Sequence, residues 1–181
     1  MLPAVAIAVG DPAGIGPEIS IKAALDPAAR ALCRPILVGD RGVLHAHAAA
    51  CGLTLAGVEV MERKQLGAGD LQIGEIRPAH GRSALDSAKA AVRAALGGKV
   101  QAVVAAPHNE TAIHQAGIKF DGYPSFVARL CGLQAEDGIL MLCFRHDDRE
   151  IRIAHVTLHT SVATALAQIT SARVARTIRE T

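Results

Sequence analysis

Three short, largely apolar runs constrain the fold of this chain more than any other feature of its sequence. They cover residues 4–9, 35–38 and 100–106, and each is followed by a polar or glycine-rich turn. Strands that are buried on both faces read as unbroken apolar runs, which are typical of parallel sheets covered by helices. Because the runs alternate with helical patterns, the sequence predicts an α/β fold with helices on both faces of the sheet.

Further elements are predicted between and after these runs. The clearest helix covers residues 83–96, where an apolar face recurs at helical spacing and Gly97 ends the pattern. Two runs at 138–144 and 151–156 flank a polar turn and predict a hairpin, so we expect a mixed, mostly parallel sheet. Weaker strands are predicted at residues 58–61 and 71–73, and further helices at 17–25, 41–51, 111–115, 125–130, 161–167 and 172–180. Asp40 is expected to cap the helix at 41–51, and Asp26-Pro27 is expected to disturb the end of the helix at 17–25.

The composition excludes several classes of protein. Half of the residues are hydrophobic and 20% are charged, which excludes a disordered chain. Only 2% are aromatic and the net charge is +2, so we expect no nucleic-acid partner. The sequence has no apolar run of membrane-helix length and shows no signal peptide, so we expect a cytoplasmic protein with no membrane partner. The four widely spaced cysteines are expected to be buried, reduced thiols.

A glycine- and proline-rich loop, residues 10–18, follows the first apolar run and opens a helix. Such a position is where α/β proteins bind anions and cofactors. The spacing of Gly10, Gly14 and Gly16 is not that of a dinucleotide-binding or P-loop motif. A tight turn that needs flexible backbone angles is an equally good interpretation of these glycines.

Two other polar segments follow predicted strands. Pro107, His108, Asn109 and Glu110 come directly after the run at 100–106, at a place where parallel sheets carry functional groups. The alternative is a helix cap with surface histidines. His155 and His159 lie near the end of the last predicted strand, where a neutral imidazole could bind a metal. The alternative is that these histidines are structural.

Taken together, these segments resemble the 4-hydroxythreonine-4-phosphate dehydrogenase family. The opening Gly-Asp-Pro-Ala-Gly-Ile-Gly-Pro-Glu, residues 10–18, is similar to the first loop of that family. Residues 106–117 and the following Phe120-Asp121-Gly122 resemble its central motif. Residues 152–159 resemble the next strand and turn. The whole chain is similar to roughly the N-terminal half of a family member.

The resemblance implies a three-layer α/β/α fold of the isocitrate and isopropylmalate dehydrogenase type, in a homodimer. We expect the first α/β domain at residues 1–120 and the beginning of a second at 121–181, in an incomplete chain. The family oxidises a secondary alcohol with NAD or NADP and a divalent metal (Zn, Mg, Mn or Co), and the product decarboxylates. The first of its three metal-binding histidines corresponds to His159; the other two correspond to nothing in this sequence.

The resemblance also implies a set of substrate contacts, and this chain departs from the family at several of them. The expected substrate-binding residues are Asp11, Asn109, Glu110, Tyr123 and Pro124. Tyr123 and Pro124 replace a histidine and a threonine of the phosphate-substrate members, and Glu110 replaces a lysine. Losing a cation and two polar contacts disfavours a phosphorylated substrate.

The altered motifs look more like those of the terephthalate dihydrodiol dehydrogenases, which convert a cyclic cis-diol dicarboxylate to a catechol. We therefore expect a substrate of that type, with 4-hydroxythreonine-4-phosphate of pyridoxal phosphate biosynthesis as the alternative. A third hypothesis is an inactive fragment or binding module, because the two other metal-binding histidines are missing. In each case we expect the chain alone to be inactive.

Overall fold

The computed structural model describes residues 1–67 and 69–181, which form two compact units, Met1–Phe120 and Asp121–Thr181. In the first unit, four parallel strands form one sheet in the order β3-β2-β1-β4. The elements of this unit are β1 (Ala4–Ala8), α1 (Gly16–Leu25), α2 (Pro27–Leu32), β2 (Arg34–Gly39), α3 (Arg41–Ala50), β3 (Glu59–Glu62), α4 (Pro78–Leu96), β4 (Ala102–Ala105) and α5 (Glu110–Gln115).

The sheet of the first unit is covered on both faces. Ile7 and Leu37 point from neighbouring strands into a buried cluster that includes Ile21 of α1 and Leu44 of α3. Because side chains alternate along a strand, their neighbours such as Ile36 face the opposite side, where α4 packs against β1 and β2. The three-layer α/β architecture expected from the sequence is therefore confirmed.

Aspartates begin two of the helices in this unit. Asp26 ends α1 and its side chain accepts a hydrogen bond from the backbone N–H of Ala28, so it starts α2 directly. Asp40 caps α3 by accepting from Gly42 and Val43. A carboxylate at this position satisfies backbone donors that have no partner within the helix. The sequence predicted the cap at Asp40, but at Asp26 it predicted only the end of a helix.

The second unit begins with α6 (Tyr123–Leu130) and a short 3₁₀ turn (Ala135–Asp137). The strands β5 (Met141–His146) and β6 (Arg149–Ala154) then pair as an antiparallel hairpin, and α7 (Val162–Gln168) and α8 (Ser171–Glu180) follow. Only Ala128 and Thr177 are buried among residues 121–181. This unit therefore has little apolar core of its own.

Several expectations from the sequence need correction. The predicted hairpin is present, but in the described residues it forms a sheet of its own, so the four-stranded sheet is parallel throughout rather than mixed. The strand predicted at residues 71–73 is wrong, because these residues lie in an irregular loop. The helix predicted at 83–96 begins earlier, at Pro78, whose ring suits the first turn of a helix.

The cysteines are free thiols, but three of the four are exposed and Cys33 is half-buried, so the burial expected for them is wrong. Among the residues that the structure describes, no helix has both the length and the apolarity to span a membrane.

Candidate functional site at the carboxyl edge of the sheet

The loops that follow β1 and β4 meet at the carboxyl edge of the parallel sheet. The backbone N–H of Asp11 donates a hydrogen bond to the carbonyl oxygen of Pro107, with 2.9 Å between the atoms. Gly10 has a φ of 73°, and a Cβ at this position would overlap the same carbonyl oxygen. The contact arises because β1 and β4 are neighbours in the sheet. Two of the segments singled out in the sequence therefore form one structural feature.

The Asp11 side chain is buried and is partly used by its own loop. Its Oδ1 accepts a hydrogen bond from the Ala13 N–H at 2.9 Å, and its carbonyl oxygen accepts from the Gly14 N–H at 3.1 Å. This turn is of the type in which an aspartate side chain replaces a backbone acceptor. Asp11 thus shapes the loop with one carboxylate oxygen, and its other oxygen, Oδ2, takes no part in this turn.

Two residues outside the sequence motifs fix the outside of the glycine-rich loop. The buried His47 of α3 donates from Nε2 to the carbonyl oxygen of Pro12, 2.8 Å away. The backbone N–H of Gly74 donates to the carbonyl oxygen of Ala13 at 2.9 Å. His47 lies on the apolar face of α3 with Val43 and Leu44. A histidine on an otherwise apolar helix face was the one sequence signal that could have indicated its buried hydrogen bond.

Gly74 belongs to a loop that is itself attached to α4. His80 is fully buried, and its Nδ1 and Nε2 each lie 3.0 Å from a backbone carbonyl oxygen, that of Glu75 and that of Asp70. The far end of the loop reaches Asp40, whose Oδ2 accepts from the N–H of Leu66 at 3.4 Å. These contacts position the described residues of the loop without any strand pairing.

The segment after β4 carries one helix cap and one exposed carboxylate. Asn109 Oδ1 accepts from the N–H of Ala112 at 3.0 Å and so begins α5. This is the helix-cap role, the alternative to a functional role for the segment after β4. The His108 ring packs edge-on against Phe120, with 4.9 Å between ring centroids. Glu110 Oε1 lies 3.8 Å from His108 Nε2, and the Glu110 side chain is 61% exposed. Glu110 therefore presents its carboxylate to solvent at this edge.

In the second unit, Tyr123 and Pro124 form the first turn of α6. Burial raises the pKa of Tyr123 to about 12, so the phenol is neutral at pH 7. Its ring meets Phe126 at an angle of 65°, with 6.4 Å between centroids. Pro124 has no side-chain hydrogen-bonding group and the hydroxyl oxygen of Tyr123 is buried, so this pair carries one neutral hydroxyl in place of the two polar side chains that the resemblance gives for the phosphate-substrate members.

The two histidines near the end of β6 have different surroundings. His155 continues the hairpin: its backbone N–H and its Nδ1 both lie within 3.0 Å of the carbonyl oxygen of Leu140. His159 is exposed and has a φ of 42°, in the left-handed region that few residues other than glycine adopt. Such strained backbone is found at functional sites more often than elsewhere.

The described residues do not by themselves complete a metal centre. No group of three or more histidine, cysteine, aspartate or glutamate side chains is placed to hold an ion in the part of the chain that the structure describes. His159, the one predicted ligand, therefore belongs to no such group among the described residues. The metal-binding role of His159 and the substrate-binding role of the five residues named from the sequence remain predictions.

Two curated relatives of this chain are both named as dehydrogenases. A 1,2-dihydroxy-3,5-cyclohexadiene-1,4-dicarboxylate dehydrogenase of Comamonas is 42% identical over 168 residues, covering 91% of this chain and 51% of the relative. A 4-hydroxythreonine-4-phosphate dehydrogenase of Trichlorobacter lovleyi is 30% identical over 195 residues, covering 99% of this chain and 56% of the relative.

Two solved structures that resemble this chain are also named as dehydrogenases. A 4-hydroxythreonine-4-phosphate dehydrogenase from Burkholderia phymatum superimposes with a TM-score of 0.83 at 28% identity, covering 99% of this chain and 57% of that one. A terephthalate 1,2-cis-dihydrodiol dehydrogenase from Burkholderia xenovorans gives 0.76 at 39% identity, with 99% and 55% covered.

The chain spans about half the length of the curated relatives that it matches. The protein family described as "Pyridoxal phosphate biosynthetic protein PdxA" matches residues 31–181. This match includes β2 to β4 of the parallel sheet and the whole of the second unit. The chain therefore belongs to the PdxA protein family.

Proposed function

We propose that this chain forms part of an NAD(P)- and divalent-metal-dependent dehydrogenase that oxidises a secondary alcohol with decarboxylation. Its substrate is a cyclic cis-dihydrodiol carboxylate of the terephthalate dihydrodiol type. The proposal includes the homodimer that the resemblance implies. Support for the reaction class comes from the relatives, which carry the names of dehydrogenases across two substrate types.

The observation that carries the choice of substrate is the replacement of groups suited to phosphate. Glu110 presents an exposed carboxylate at the carboxyl edge of the sheet, where the phosphate-substrate motif has a lysine. Glu110 removes the cation that would attract a phosphate; because the proposed diol substrate is itself a dicarboxylate, this replacement argues against phosphate binding and does not by itself select the diol. Tyr123 and Pro124 add one neutral hydroxyl and an apolar ring, which suit a partly apolar carbocycle better than a phosphorylated amino alcohol.

The roles of this chain's own residues follow from their contacts. The loop at residues 10–16 is fixed by hydrogen bonds on both sides, so that Asp11 is held in one orientation for the substrate. Tyr123 stays protonated at neutral pH, and the proposal assigns to its hydroxyl, whose oxygen is buried in this structure, a hydrogen bond donated to the substrate. His159 would supply one coordination position for the metal, in a site completed by groups other than those described here.

A second candidate function is oxidation of 4-hydroxythreonine-4-phosphate. It is favoured by the family description and by the 30% identity to the Trichlorobacter lovleyi relative over nearly the whole chain. A relative from Symbiobacterium thermophilum, 33% identical, is named "Putative D-threonate 4-phosphate dehydrogenase". The substrate in that name is also phosphorylated. A phosphate-binding role would have to be achieved without the lysine of the central motif.

A chimera tests the proposal. The present chain replaces the matching segment of the Burkholderia xenovorans enzyme, and NAD and NADP reduction is measured with both substrates. We expect kcat/KM for terephthalate dihydrodiol to exceed that for 4-hydroxythreonine-4-phosphate by at least ~100-fold. A preference for the phosphorylated substrate would establish the second function, and a folded chimera inactive with both would support the inactive-module hypothesis.

Matched variants of the chimera assign the residues. Glu110→Lys combined with Tyr123→His and Pro124→Thr restores the phosphate-type motif and should shift the kcat/KM ratio toward the phosphorylated substrate. His159→Ala should abolish metal-dependent turnover, whereas His155→Ala, which alters a hairpin contact, should retain it at temperatures where the fold is intact. Full activity in His159→Ala would remove His159 from the metal site.

A further inference from the structure

A cavity of about 910 Å³ lies at the amino edge of the parallel sheet, at the end of the strands away from the candidate functional site. It is lined by Ala4 and Pro35, at the beginning of β1 and β2, and by Gln101, which precedes β4. Ala24 of α1 and Val58, before β3, add apolar wall. Cavities of about 300–1,000 Å³ with an apolar wall and a few polar groups are typical of small-molecule sites. The proposed dehydrogenase reaction leaves this cavity without a role.

Positively charged side chains line this cavity. Arg30 donates from Nη2 to the carbonyl oxygen of Gly57, 3.1 Å away, which fixes its guanidinium with one of five N–H donors. Arg34 forms an ion pair with Glu59, the one acidic residue among the described residues that line the cavity. Lys99 also lines it and has no ion pair within the part of the chain that the structure describes. Two positive charges, those of Arg30 and Lys99, are therefore left for a ligand.

A narrower groove of about 250 Å³ runs along α4 and is also lined by Lys99, which joins it to the cavity. Lys89 and Arg93 of α4 line this groove, and they lie on one helix face because they are four residues apart. Among the described residues, neither has an ion-pair partner. Asp86, the acidic residue of the groove, is held by Arg63, whose Nε and Nη2 donate to its carboxylate at 2.7 and 3.0 Å.

The positive charge of this chain is concentrated around the cavity and the groove. Their described lining residues include six lysine and arginine side chains and two acidic ones, a net charge of +4, although the whole chain carries only +2. The carboxyl end of α4 adds only about half a negative charge. A concave surface lined by one sign of charge attracts ligands of the opposite sign. The ligand expected here is therefore an anion whose charge is spread over several groups.

We propose that the cavity and the groove together bind a nucleoside triphosphate. Its phosphate chain contacts Lys89, Arg93 and Lys99, and its nucleoside occupies the cavity against Pro35 and Val58. Linked phosphates match three cations that have no ion pairs among the described residues, and the apolar wall suits a base and ribose. Inorganic polyphosphate offers the same chain but has no group to fill the cavity. The site lies at the amino edge of the sheet, so the proposal does not depend on the dehydrogenase reaction.

Titration calorimetry of the present chain with ATP and with tripolyphosphate, both without Mg²⁺, tests the proposal. We expect ATP to bind at least ~10-fold more tightly, because its nucleoside also removes apolar surface of the cavity from water. Since the attraction between exposed charges is screened by salt, both affinities should fall as the salt concentration rises. Equal affinities would overturn the assignment of the cavity to the nucleoside, and absence of ATP binding would overturn the whole proposal.

Charge-reversal variants locate the bound phosphates. Lys89→Glu combined with Arg93→Glu should weaken ATP binding by at least ~30-fold, which is within the effect of losing two charge-assisted hydrogen bonds. The exchange Lys89→Arg with Arg93→Lys keeps both charges and should retain most of the affinity. Lys64→Glu combined with Arg149→Glu makes the same change of net charge at exposed positions outside the cavity and the groove, and should alter the affinity by less than about 2-fold. Equal losses in the two charge-reversal pairs would mean that ATP responds only to net charge, which contradicts the proposal.

Cys33 provides a local probe, because its half-buried side chain lines the cavity. The other three cysteines are exposed free thiols, so Cys51→Ser, Cys131→Ser and Cys143→Ser leave Cys33 as the one thiol to be alkylated. With ATP at about ten times its Kd, alkylation of Cys33 should slow by about 10-fold, whereas tripolyphosphate, which leaves the cavity open, should slow it by less than about 2-fold. An unchanged rate of alkylation with ATP bound would show that the nucleoside lies elsewhere and would overturn the proposal.

Discussion

The Nε2 atom of the buried His47 lies 2.8 Å from the carbonyl oxygen of Pro12 and donates a hydrogen bond to it. A carbonyl oxygen can only accept, so this geometry assigns the proton to Nε2. The bond joins the last turn of α3 to the loop that carries Asp11, across a sequence separation of 35 residues. The orientation of the predicted substrate-binding loop thus depends on a residue that does not belong to the motif.

Removing this bond should destabilise the first unit. In His47→Leu, the Pro12 carbonyl oxygen stays buried without its donor, which costs about 1–3 kcal/mol of unfolding free energy. The same change at the exposed His45, on the same helix, should have an effect within about 0.5 kcal/mol. Urea unfolding of both variants measures the difference. Similar losses in the two variants would show that the His47 side chain does not stabilise the loop.

Gly10 and Gly52 provide a test of the contact between the loops after β1 and β4. Both have a positive φ, but a Cβ at Gly10 would overlap the Pro107 carbonyl oxygen, whereas at Gly52 it would meet nothing within 4 Å. Gly52→Ala should therefore lose only the cost of the left-handed backbone, about 1–2 kcal/mol. Gly10→Ala must also move the Pro107 segment and should lose at least about 2 kcal/mol more. Thermal or urea unfolding of the two variants measures the difference in unfolding free energy. Equal losses in Gly10→Ala and Gly52→Ala would mean that the two loops separate easily.

Much of the fold could be predicted from the sequence because the signals are local. The strands at β1, β2, β3 and β4 and the hairpin were all predicted from apolar runs and turns. The strand predicted at 71–73 failed for a physical reason: its apolar residues lie in a loop whose hydrogen bonds go to Ala13 and His80 rather than to a neighbouring strand. Local pattern contains no information on such distant partners.

The candidate site was only partly predictable for the same reason. The sequence predicted that polar groups follow β1 and β4, but not that these strands are neighbours, which brings Gly10 to Pro107. It predicted Asp40 as a helix cap, but not the two extra backbone donors, Gln65 and Leu66, that arrive from a loop more than 20 residues away. Long-range contacts of this kind depend on the assembled fold.

Asp40 and Asp26 both cap helices, and they should differ in importance. Asp26 accepts from one exposed backbone N–H, so Asp26→Ala should cost about 1 kcal/mol of unfolding free energy. Asp40 accepts from Gly42 and Val43 and also from Gln65 and Leu66, so Asp40→Ala should cost about 2–4 kcal/mol. Urea unfolding of the two variants gives the comparison. Equal costs would mean that the contacts with Gln65 and Leu66 contribute nothing to stability.

The titration of Tyr123 should be visible without interference. The chain contains one tyrosine and no tryptophan, so the ultraviolet absorbance of phenolate reports Tyr123 alone. Burial raises the pKa of Tyr123 to about 12 in the folded state, so we expect a midpoint well above the value of about 10 for an unfolded chain. A midpoint near 10 in the folded protein would show that the phenol is open to solvent.

The same shift predicts how stability depends on pH. Below pH ~10 the phenol is neutral in both folded and unfolded states, so it adds no pH dependence there. As pH rises from about 10 to about 12, the unfolded chain releases the proton while the folded chain retains it, which lowers the unfolding free energy by up to about 3 kcal/mol. Tyr123→Phe removes this contribution but leaves the lysine titrations in place, so the difference between the two proteins isolates it. A stability difference that stays constant over this pH range would show that Tyr123 is not buried when the chain folds.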